Sequence, residues 1–213
     1  VEYPIAKLII VTILLGLGYF SSPAIASDNS VFAPLVTGSL LLAAQRVEND
    51  FIVVGERGHV LISVDNGMSW KQAQVPTRAT LTGVYFTDRT HGWAVGHDQV
   101  ILRTQDGGTS WELVFEDADA ESPLLDVYFR DAQHGFAIGA YGLFLETYDA
   151  GSSWTKRYIS EDDFHLNQIQ AVGTKLYIAA EAGLAYRSDD GGENWVALTP
   201  DYMGSFFGLL PLT

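Results

Sequence analysis

The fold is decided by a stretch that recurs four times, and its clearest copy reads Thr104-Gln105-Asp106-Gly107-Gly108-Thr109-Ser110-Trp111. The shared pattern is Ser/Thr-x-Asp-x-Gly-x-x-Trp, and we call each copy an Asp box. The aspartates of consecutive boxes are 41, 43 and 41 positions apart. Four matches at a nearly constant period indicate that one supersecondary unit has been repeated along the chain. The residues that define the boxes are Ser63, Asp65, Gly67, Trp70, Thr104, Asp106, Gly108, Trp111, Thr147, Asp149, Gly151, Trp154, Ser188, Asp190, Gly192 and Trp195.

Short apolar runs precede each box and have the length of β-strands. One set of runs ends ten positions before the box aspartate, and a second set lies further upstream at residues 81–86, 124–129 and 166–172. Each period therefore predicts four short strands, with the Asp box between the third and the fourth. One such sheet cannot bury both of its faces, so we expect the sheets to stack side by side around an axis. The pattern predicts an all-β fold, a β-propeller of four-stranded antiparallel blades, with a β-solenoid as the alternative.

Every residue type of the Asp box suits a structural task. We expect the aspartate to accept hydrogen bonds from backbone N–H groups one and two residues further on, and the Ser or Thr hydroxyl to bond across the same turn. Glycine permits a positive φ, and tryptophan buries a large ring at the start of the last strand. The sixteen box residues are therefore predicted to hold the fold together rather than to perform chemistry.

The first 26 residues have the pattern of a secretory signal. Lys7 precedes an apolar run at residues 8–20, and Ala24 and Ala26 place small residues where a signal peptidase reads. A membrane anchor is the alternative, but a span needs roughly 20 apolar residues. We predict a signal peptide at residues 1–26, a partial propeller at residues 27–213, and export to the periplasm, or to the thylakoid lumen in a photosynthetic organism. The sequence has no cysteine, so neither disulfides nor an N-terminal lipid are expected.

The formal net charge of −14 argues against nucleic acid and anionic lipid as partners. Two acidic runs interrupt the repeats after the fourth strand of a unit, and we expect both to lie on one rim. Solvated loops are the simplest interpretation, and a surface for a basic protein partner or for Ca²⁺ is the functional one. The residues of this predicted partner-binding rim are Glu116, Asp117, Asp119, Glu121, Glu161, Asp162 and Asp163.

No catalytic, cofactor-binding or metal-binding constellation is recognised in the sequence. Asp boxes also occur in sialidases and other glycoside hydrolases, so an enzyme of that kind is the alternative function. The arginines are spread through the chain, and Arg103 and Arg187 occupy equivalent places before a box. His91 and His134 are likewise equivalent loop residues, for which turn hydrogen bonding is expected. We therefore predict a protein that is not an enzyme and that uses no cofactor or metal.

Two consecutive units carry a family resemblance. Residues 84–96 read VYFTDRTHGWAVG, residues 101–111 read ILRTQDGGTSW, and residues 127–139 read VYFRDAQHGFAIG. They closely resemble the Ycf48/Hcf136-like photosystem II assembly-factor family over roughly residues 40–213. The resemblance implies a seven-bladed propeller and, in photosynthetic members, a non-catalytic chaperone that uses an arginine-rich surface. Because this chain is acidic, no client-binding residue is transferred to it.

The expected function is accordingly that of an exported scaffold that binds protein partners and aids assembly of a membrane protein complex. Only four boxes are present, and residues 208–213 resemble the first strand of another unit, as in residues 83–88. The expected architecture is therefore about four blades plus a leading strand, a portion of a seven-bladed propeller. We expect either a longer natural protein or closure by self-association, because open blade edges favour aggregation.

Overall fold

The computed structural model describes residues 28–210, which form sixteen strands and four single-turn 3₁₀ helices. The predicted signal peptide, residues 1–26, lies outside the described residues. Within the described range, no helix is long and apolar enough to cross a membrane. The 3₁₀ helices span Val36–Gly38, Glu56–Gly58, His97–Gln99 and Ala140–Gly142.

The strands form four antiparallel sheets, each made of four strands that are consecutive in the chain. Blade 1 contains β1 (Leu41–Val47), β2 (Asp50–Gly55), β3 (Val60–Ser63) and β4 (Lys71–Ala73). Blade 2 contains β5 (Leu81–Phe86), β6 (Gly92–Gly96), β7 (Ile101–Thr104) and β8 (Glu112–Phe115). Blade 3 contains β9 (Leu124–Phe129), β10 (Gly135–Gly139), β11 (Phe144–Thr147) and β12 (Thr155–Arg157). Blade 4 contains β13 (Leu166–Val172), β14 (Lys175–Ala180), β15 (Ala185–Ser188) and β16 (Val196–Leu198).

This architecture confirms the predicted all-β propeller portion. The upstream runs at residues 81–86, 124–129 and 166–172 are the strands β5, β9 and β13. The first strands of consecutive blades are neighbours, β1 beside β5, β5 beside β9 and β9 beside β13. They therefore line the inner side of the array, while the short fourth strands form its outer side.

Hydrophobic cores lie between the blades rather than within them. Within the described residues there are three such cores, one for each consecutive pair of blades. Strand β10 shows the consequence, because all five of its residues are buried. Its Phe136 and Ile138 face blade 4, whereas Ala137 packs into the core shared with blade 2. Each inner blade thus supplies one face to the blade before it and one face to the blade after it.

A glycine at the end of the second strand lets two backbones approach closely in the first three blades. A Cβ at Gly96 would overlap the carbonyl oxygen of Thr80, and a Cβ at Gly139 would overlap that of Pro123. Both glycines have extended backbone, so the close approach and not a positive φ requires them. The contact clamps the end of the second strand onto the chain that enters the first strand.

The predicted leading strand after blade 4 is observed only in part. Residues 204–210 have no strand assignment, and residues 211–213 lie outside the described residues. The segment nevertheless lies where the first strand of a further blade would lie, since Asn167 Nδ2 donates to Phe206 O at 2.9 Å. In the same way Thr82 Oγ1 of blade 2 donates to Leu124 O of blade 3 at 2.7 Å, two blade junctions earlier. The segment has no partner strand among the described residues, which explains why no ladder forms.

The Asp boxes form the turns between third and fourth strands, and their hydrogen bonds differ in one respect from the prediction. Asp106 Oδ1 accepts from Ser110 N, four residues further on, at 2.8 Å, and Ser110 Oγ donates to Oδ2 at 2.6 Å. The expected acceptance from N–H groups one and two residues on is therefore wrong. The turn is wider than a simple Asx turn, so the carboxylate reaches across it to the residue before the tryptophan.

The Ser or Thr hydroxyl of the box accepts a hydrogen bond that is more buried than the one the carboxylate accepts from the backbone. Thr104 Oγ1 accepts from Gly108 N at 2.9 Å and donates to Asp106 Oδ1 at 3.0 Å. The Gly108 bond is buried, and Gly108 has a φ of +85°. Trp111 Nε1 donates to Gly108 O at 2.8 Å, which closes the turn. The same pattern recurs in the other three boxes, except that Trp70 lacks the indole bond among the described contacts.

These hydrogen bonds also lower the pKa values of the box carboxylates. The side-chain and backbone donors of Ser69, with Ser63, lower the pKa of Asp65 to about 2. The backbone and side-chain donors of Asn194, with Ser188, lower the pKa of Asp190 to about 2. A depressed pKa means that this stabilisation is fully present above the unfolded pKa near 4 and is lost as the pH falls towards 2.

We predict that Thr104→Val destabilises the fold by about 1–3 kcal/mol, because it leaves the buried Gly108 N–H without an acceptor. Asp106→Ala should cost less, because the Ser110 N–H that it releases is exposed and can bond to water. Equilibrium denaturant unfolding of both variants measures the two costs. Thr109→Val is the matched control, since Thr109 is exposed in the same box. A larger cost for Asp106→Ala than for Thr104→Val would contradict this division of tasks.

Candidate functional site

The array has two rims that differ in their connections. The box rim carries the Asp boxes and the loops between first and second strands, which meet where Gly107 N donates to Thr90 O at 3.0 Å. The turn rim carries the 3₁₀ turns between second and third strands, together with the connectors that lead to the next blade. Those two sets meet where Asp117 N donates to Asp98 O at 3.0 Å and Gly142 N donates to Phe164 O at 2.9 Å.

The structure places both acidic runs on the turn rim. Glu116, Asp117, Asp119 and Glu121 lie in the connector from blade 2 to blade 3, and Glu161, Asp162 and Asp163 lie in the next connector. All seven are exposed, and none of them forms a salt bridge with another residue of the described range 28–210. Within that range no group of three or more His, Asp or Glu side chains is arranged to hold a metal ion. The rim therefore presents seven unneutralised carboxylates to solvent.

The sequence-predicted equivalence of His91 and His134 holds only for their backbones. His91 N donates to Asp88 Oδ1 at 2.9 Å, and His134 N donates to Asp131 Oδ1 at 2.8 Å. The His91 ring stays exposed and contacts Asp88 again, whereas His134 Nε2 lies 2.7 Å from Glu146 Oε1 in the interior. The His91 ring therefore lies at the surface, whereas the His134 ring belongs to a buried hydrogen-bond network.

That buried network was not predicted from the sequence. Glu146 is 2% exposed and receives hydrogen bonds from the His134 ring, from Tyr148 Oη at 2.8 Å and from Arg157. Arg157 also donates through Nη2 to Glu193 O at 2.8 Å, and so connects blade 3 to the Asp box of blade 4. Burial alone would raise the pKa of Glu146, but the bonds from Arg157, His134 and Tyr148 hold that pKa below its usual value.

The position of Glu146 shows why this network exists. Its equivalent in blade 2 is Arg103, which donates through Nη1 to Ala150 O at 3.2 Å and to Ser152 Oγ at 2.8 Å in the next Asp box. Glu146 cannot donate to carbonyls, so it holds Arg157 to do so. Both arrangements fasten a third strand to the following Asp box, which makes them structural ties between blades.

The inner side of the array forms an open channel lined by the first strands, with a cavity of about 540 Å³. Asp126 is the one carboxylate among its lining residues. Its Oδ2 accepts from Ile169 N of the next blade at 3.0 Å, and its Oδ1 accepts from Val127 N at 2.9 Å. Gln168, at the equivalent position of blade 4, similarly accepts from Leu209 N. Asp126 and Gln168 thus each cap a backbone N–H group of the chain segment that follows across the blade junction.

Burial raises the pKa of Asp126 to about 7, against the two backbone hydrogen bonds, which act to lower it. Sequence reasoning missed this residue, because a single aspartate within an apolar run looks like an ordinary polar strand residue. The sequence contained one indication of it: Asp126 lies in the middle of the run 124–129, at a position where blades 1 and 2 have the small residues Ala43 and Gly83.

We predict that Asp126 makes the protein less stable as the pH rises from 5 to 8.5. A raised folded pKa gives stability that is present below the unfolded pKa near 4 and is lost as the pH rises through about 7. The unfolding free energy of Asp126→Asn relative to that of the wild type should therefore rise by about 2 kcal/mol between pH 5 and pH 8.5. Denaturant titrations at both pH values measure this difference. Asp119→Asn on the turn rim is the control and should keep the wild-type pH dependence; an Asp126→Asn variant with that same dependence would contradict the assignment.

The comparisons with known proteins agree with this geometry. The family model described as "Photosynthesis system II assembly factor YCF48" matches residues 62–121 and 114–204. The photosystem II assembly lipoprotein Ycf48 of Synechococcus sp. (strain CC9902) is 32% identical over 150 residues, which are 70% of this chain and 33% of the relative. The photosystem II assembly protein Ycf48 of Synechococcus sp. (strain JA-2-3B'a(2-13)) is 31% identical over 175 residues, which are 80% of this chain and 48% of the relative. The chain thus spans a third to a half of the length of these curated relatives.

Solved structures show the same fold at low identity. A YCF48 bound to a D1 peptide superposes with a TM-score of 0.62 at 18% identity, covering 76% of this chain and 55% of the other. The GH74 enzyme of Niastella koreensis superposes with a TM-score of 0.61 at 15% identity, covering 76% of this chain and 30% of the enzyme. Identities of this size establish a common blade architecture and no more. The match of the family model to most of the chain carries the assignment: this chain belongs to the photosystem II assembly factor YCF48 family.

Proposed function

We propose that this chain is part of an exported, non-catalytic propeller that binds a protein partner and aids the assembly of a membrane protein complex. The observation that carries the proposal is the family match over residues 62–121 and 114–204. Relatives of the same family are named as photosystem II assembly proteins. A solved YCF48 with a D1 peptide supports a protein segment as the kind of partner.

The mechanism follows from the rigidity of the array. Interblade cores and ties such as Arg103 to Ala150 O hold the blades in fixed positions, so the loops on each rim are presented in a constant arrangement. A surface of this kind binds by complementarity of shape and charge and requires no chemical step.

A glycoside hydrolase remains the alternative class, and the likeness to GH74 enzymes is what favours it. That likeness is 15–17% in identity and therefore supports the blade architecture alone. A turnover assay on generic glycoside and sialoside substrates separates the classes. We expect no product above the uncatalysed rate, and sustained turnover by purified chain would overturn the non-catalytic proposal.

We propose the turn rim as the docking surface for a basic segment of the partner. Its seven exposed carboxylates have no cationic partner in the described range, so they produce a strongly negative local potential. Attraction between exposed charges weakens with salt, because the Debye length falls from about 10 Å at 0.1 M to about 3 Å at 1 M. Docking on this rim should therefore be salt-sensitive.

The experiment measures binding of a D1 peptide to the full chain at low and high salt, with a scrambled peptide as control. We expect saturable binding of the D1 peptide and none of the scrambled peptide. Equal binding of both peptides would contradict the proposal that the partner is a protein segment of this kind. Glu161→Gln with Asp163→Asn should weaken binding about three- to tenfold at low salt and have little effect at high salt.

The matched control removes two carboxylates from the box rim through Glu48→Gln and Glu193→Gln, and it should bind as the wild type does. Equal losses in both double variants would show that total charge matters and that the turn rim is not the docking surface. That outcome would contradict the turn rim as docking surface but not the proposal that the propeller binds a protein partner, so the experiment tests the two proposals separately.

We also propose that the chain is exported through the signal predicted at residues 1–26. When the full chain is expressed in a bacterium, the mass of the exported form should correspond to a protein that begins at Ser27. Recovery of the uncleaved chain from the membrane fraction would favour the anchor alternative.

A further inference from the structure

A second surface on the turn rim has the opposite character to the acidic runs. Beside blade 1 lies a cavity of about 610 Å³. One wall is apolar and comes from the segment before β1, with Val31, Ala33, Pro34 and Leu35. The other wall comes from the blade, with Arg57, His59 and Arg78. An apolar hollow with cations at one side is suited to a ligand that is itself apolar at one end and anionic at the other.

The apolar wall is fixed to the blade by specific hydrogen bonds. Ser30 is 1% exposed, its N donates to Val75 O at 2.9 Å, and its Oγ accepts from Val75 N at 3.0 Å. Gln72 in β4 binds the same segment with both ends of its amide, accepting from Ala33 N and donating to Val31 O, each at 2.9 Å. The cavity is therefore a built feature of the first blade and not a gap beneath a loose terminus.

The two arginines reverse the charge that the repeat has elsewhere on this rim. Arg57 is the middle residue of the turn between second and third strands, and its equivalents with the same positive φ are Asp98 and Tyr141. Arg78 lies three positions before the first strand of the next blade, where the equivalents are Glu121 and Asp163. In a chain with a net charge of −14, this junction alone combines two cations where its counterparts are acidic or neutral.

Both guanidinium groups retain donors for a ligand. Arg57 is exposed and forms no hydrogen bond or ion pair with residues 28–210. Arg78 donates through Nε to Asn29 O at 3.0 Å and lies 3.8 Å from Asp28, which is largely exposed. Its Nη groups have no partner in the described part of the chain, so they can form paired hydrogen bonds to a carboxylate.

His59 adds a third departure from the repeat at the same cavity. The equivalent residues are Val100, Leu143 and Leu184, which are apolar. His59 is 4% exposed, and its Nδ1 has no hydrogen-bond partner among the described residues. Burial lowers the pKa of His59, Glu56 opposes this and Arg57 adds to it, so folding favours the neutral form of the ring. A buried polar atom kept where sister blades use Val or Leu marks a position with a role beyond packing.

We propose that this cavity binds a small amphiphilic carboxylate, with its anionic group on Arg57 and Arg78 and its apolar part against Val31, Pro34 and Leu35. The volume lies within the range of about 300–1,000 Å³ that is usual for small-molecule sites. The proposal does not depend on the protein-binding function, because it uses different residues and a different class of ligand.

The experiment titrates the full chain with octanoate by isothermal calorimetry, and in parallel with 1-octanol and with acetate. Octanoate should bind saturably, whereas octanol lacks the charge and acetate lacks the apolar part, so each should bind at least tenfold more weakly. Equal binding of octanoate and octanol would overturn the proposal, and so would the absence of saturable octanoate binding at low-millimolar concentrations.

Amino-acid substitutions test whether octanoate binds in this cavity. Arg57→Ala with Arg78→Ala should weaken octanoate binding about tenfold or more, since two charge-assisted contacts are lost. The matched control is Arg46→Ala with Arg187→Ala, which removes two arginines that do not line the cavity, and it should leave binding unchanged.

Leu35→Glu keeps both arginines and adds a repelling carboxylate at a side chain that is 82% exposed, so folding is unaffected while octanoate affinity should fall. Thermal unfolding of every variant verifies that it is folded. Wild-type affinity in either the double arginine variant or Leu35→Glu would overturn the assignment of this cavity.

Discussion

The structure depends on one constraint: a four-stranded sheet with two apolar faces is stable only when a neighbour covers each face. Strand β10 is buried along its whole length because Phe136 and Ile138 belong to the junction with blade 4 while Ala137 belongs to the junction with blade 2. The stacking of Trp93 of blade 2 on Phe129 of blade 3, with ring centroids 3.5 Å apart, has the shortest centroid separation among the aromatic pairs of the described residues. Burial of aromatic side chains of this size dominates the energetics of such junctions. Blade geometry is therefore a property of pairs of blades, and a single repeat has no independent core.

Once packing sets the spacing of the blades, polar ties are free to vary at each junction. Ile62 of blade 1 packs at the second Asp box, near Gly108. Arg103 performs the corresponding task at the next junction by donating to Ala150 O, and Glu146 performs it at the third by holding Arg157. One position is thus apolar, cationic and anionic in successive blades, yet the third strand always meets the following box. The box tolerates this variation because its carbonyls and its tryptophan are already fixed by its own hydroxyl and carboxylate.

The sequence was sufficient to predict the features that repeat. The alternation of apolar runs and turns located β5, β9 and β13 to the residue, and the spacing of the boxes gave the number of blades. The contacts of Asp126 and Glu146 could not be predicted, because they join residues whose proximity depends on the register between blades. The same limitation applies to Gln72, whose side chain holds a segment 39 residues earlier in the chain. The hydrogen bonds of the Asp box were misjudged for a local reason, since the turn proved wider than an Asx turn.

Because the blades repeat, the equivalent residues of the other blades show what a position requires for the fold, and a residue that differs from them is informative. At the end of the turn between second and third strands, Val100, Leu143 and Leu184 show that packing requires an apolar side chain, and His59 departs from it. At the connectors, Glu121 and Asp163 show that the rim favours acidic groups, and Arg78 departs from them. Both departures occur at one junction, and that junction also holds the apolar wall built from residues 31–35. Their coincidence at one cavity is the observation on which the proposed carboxylate site rests.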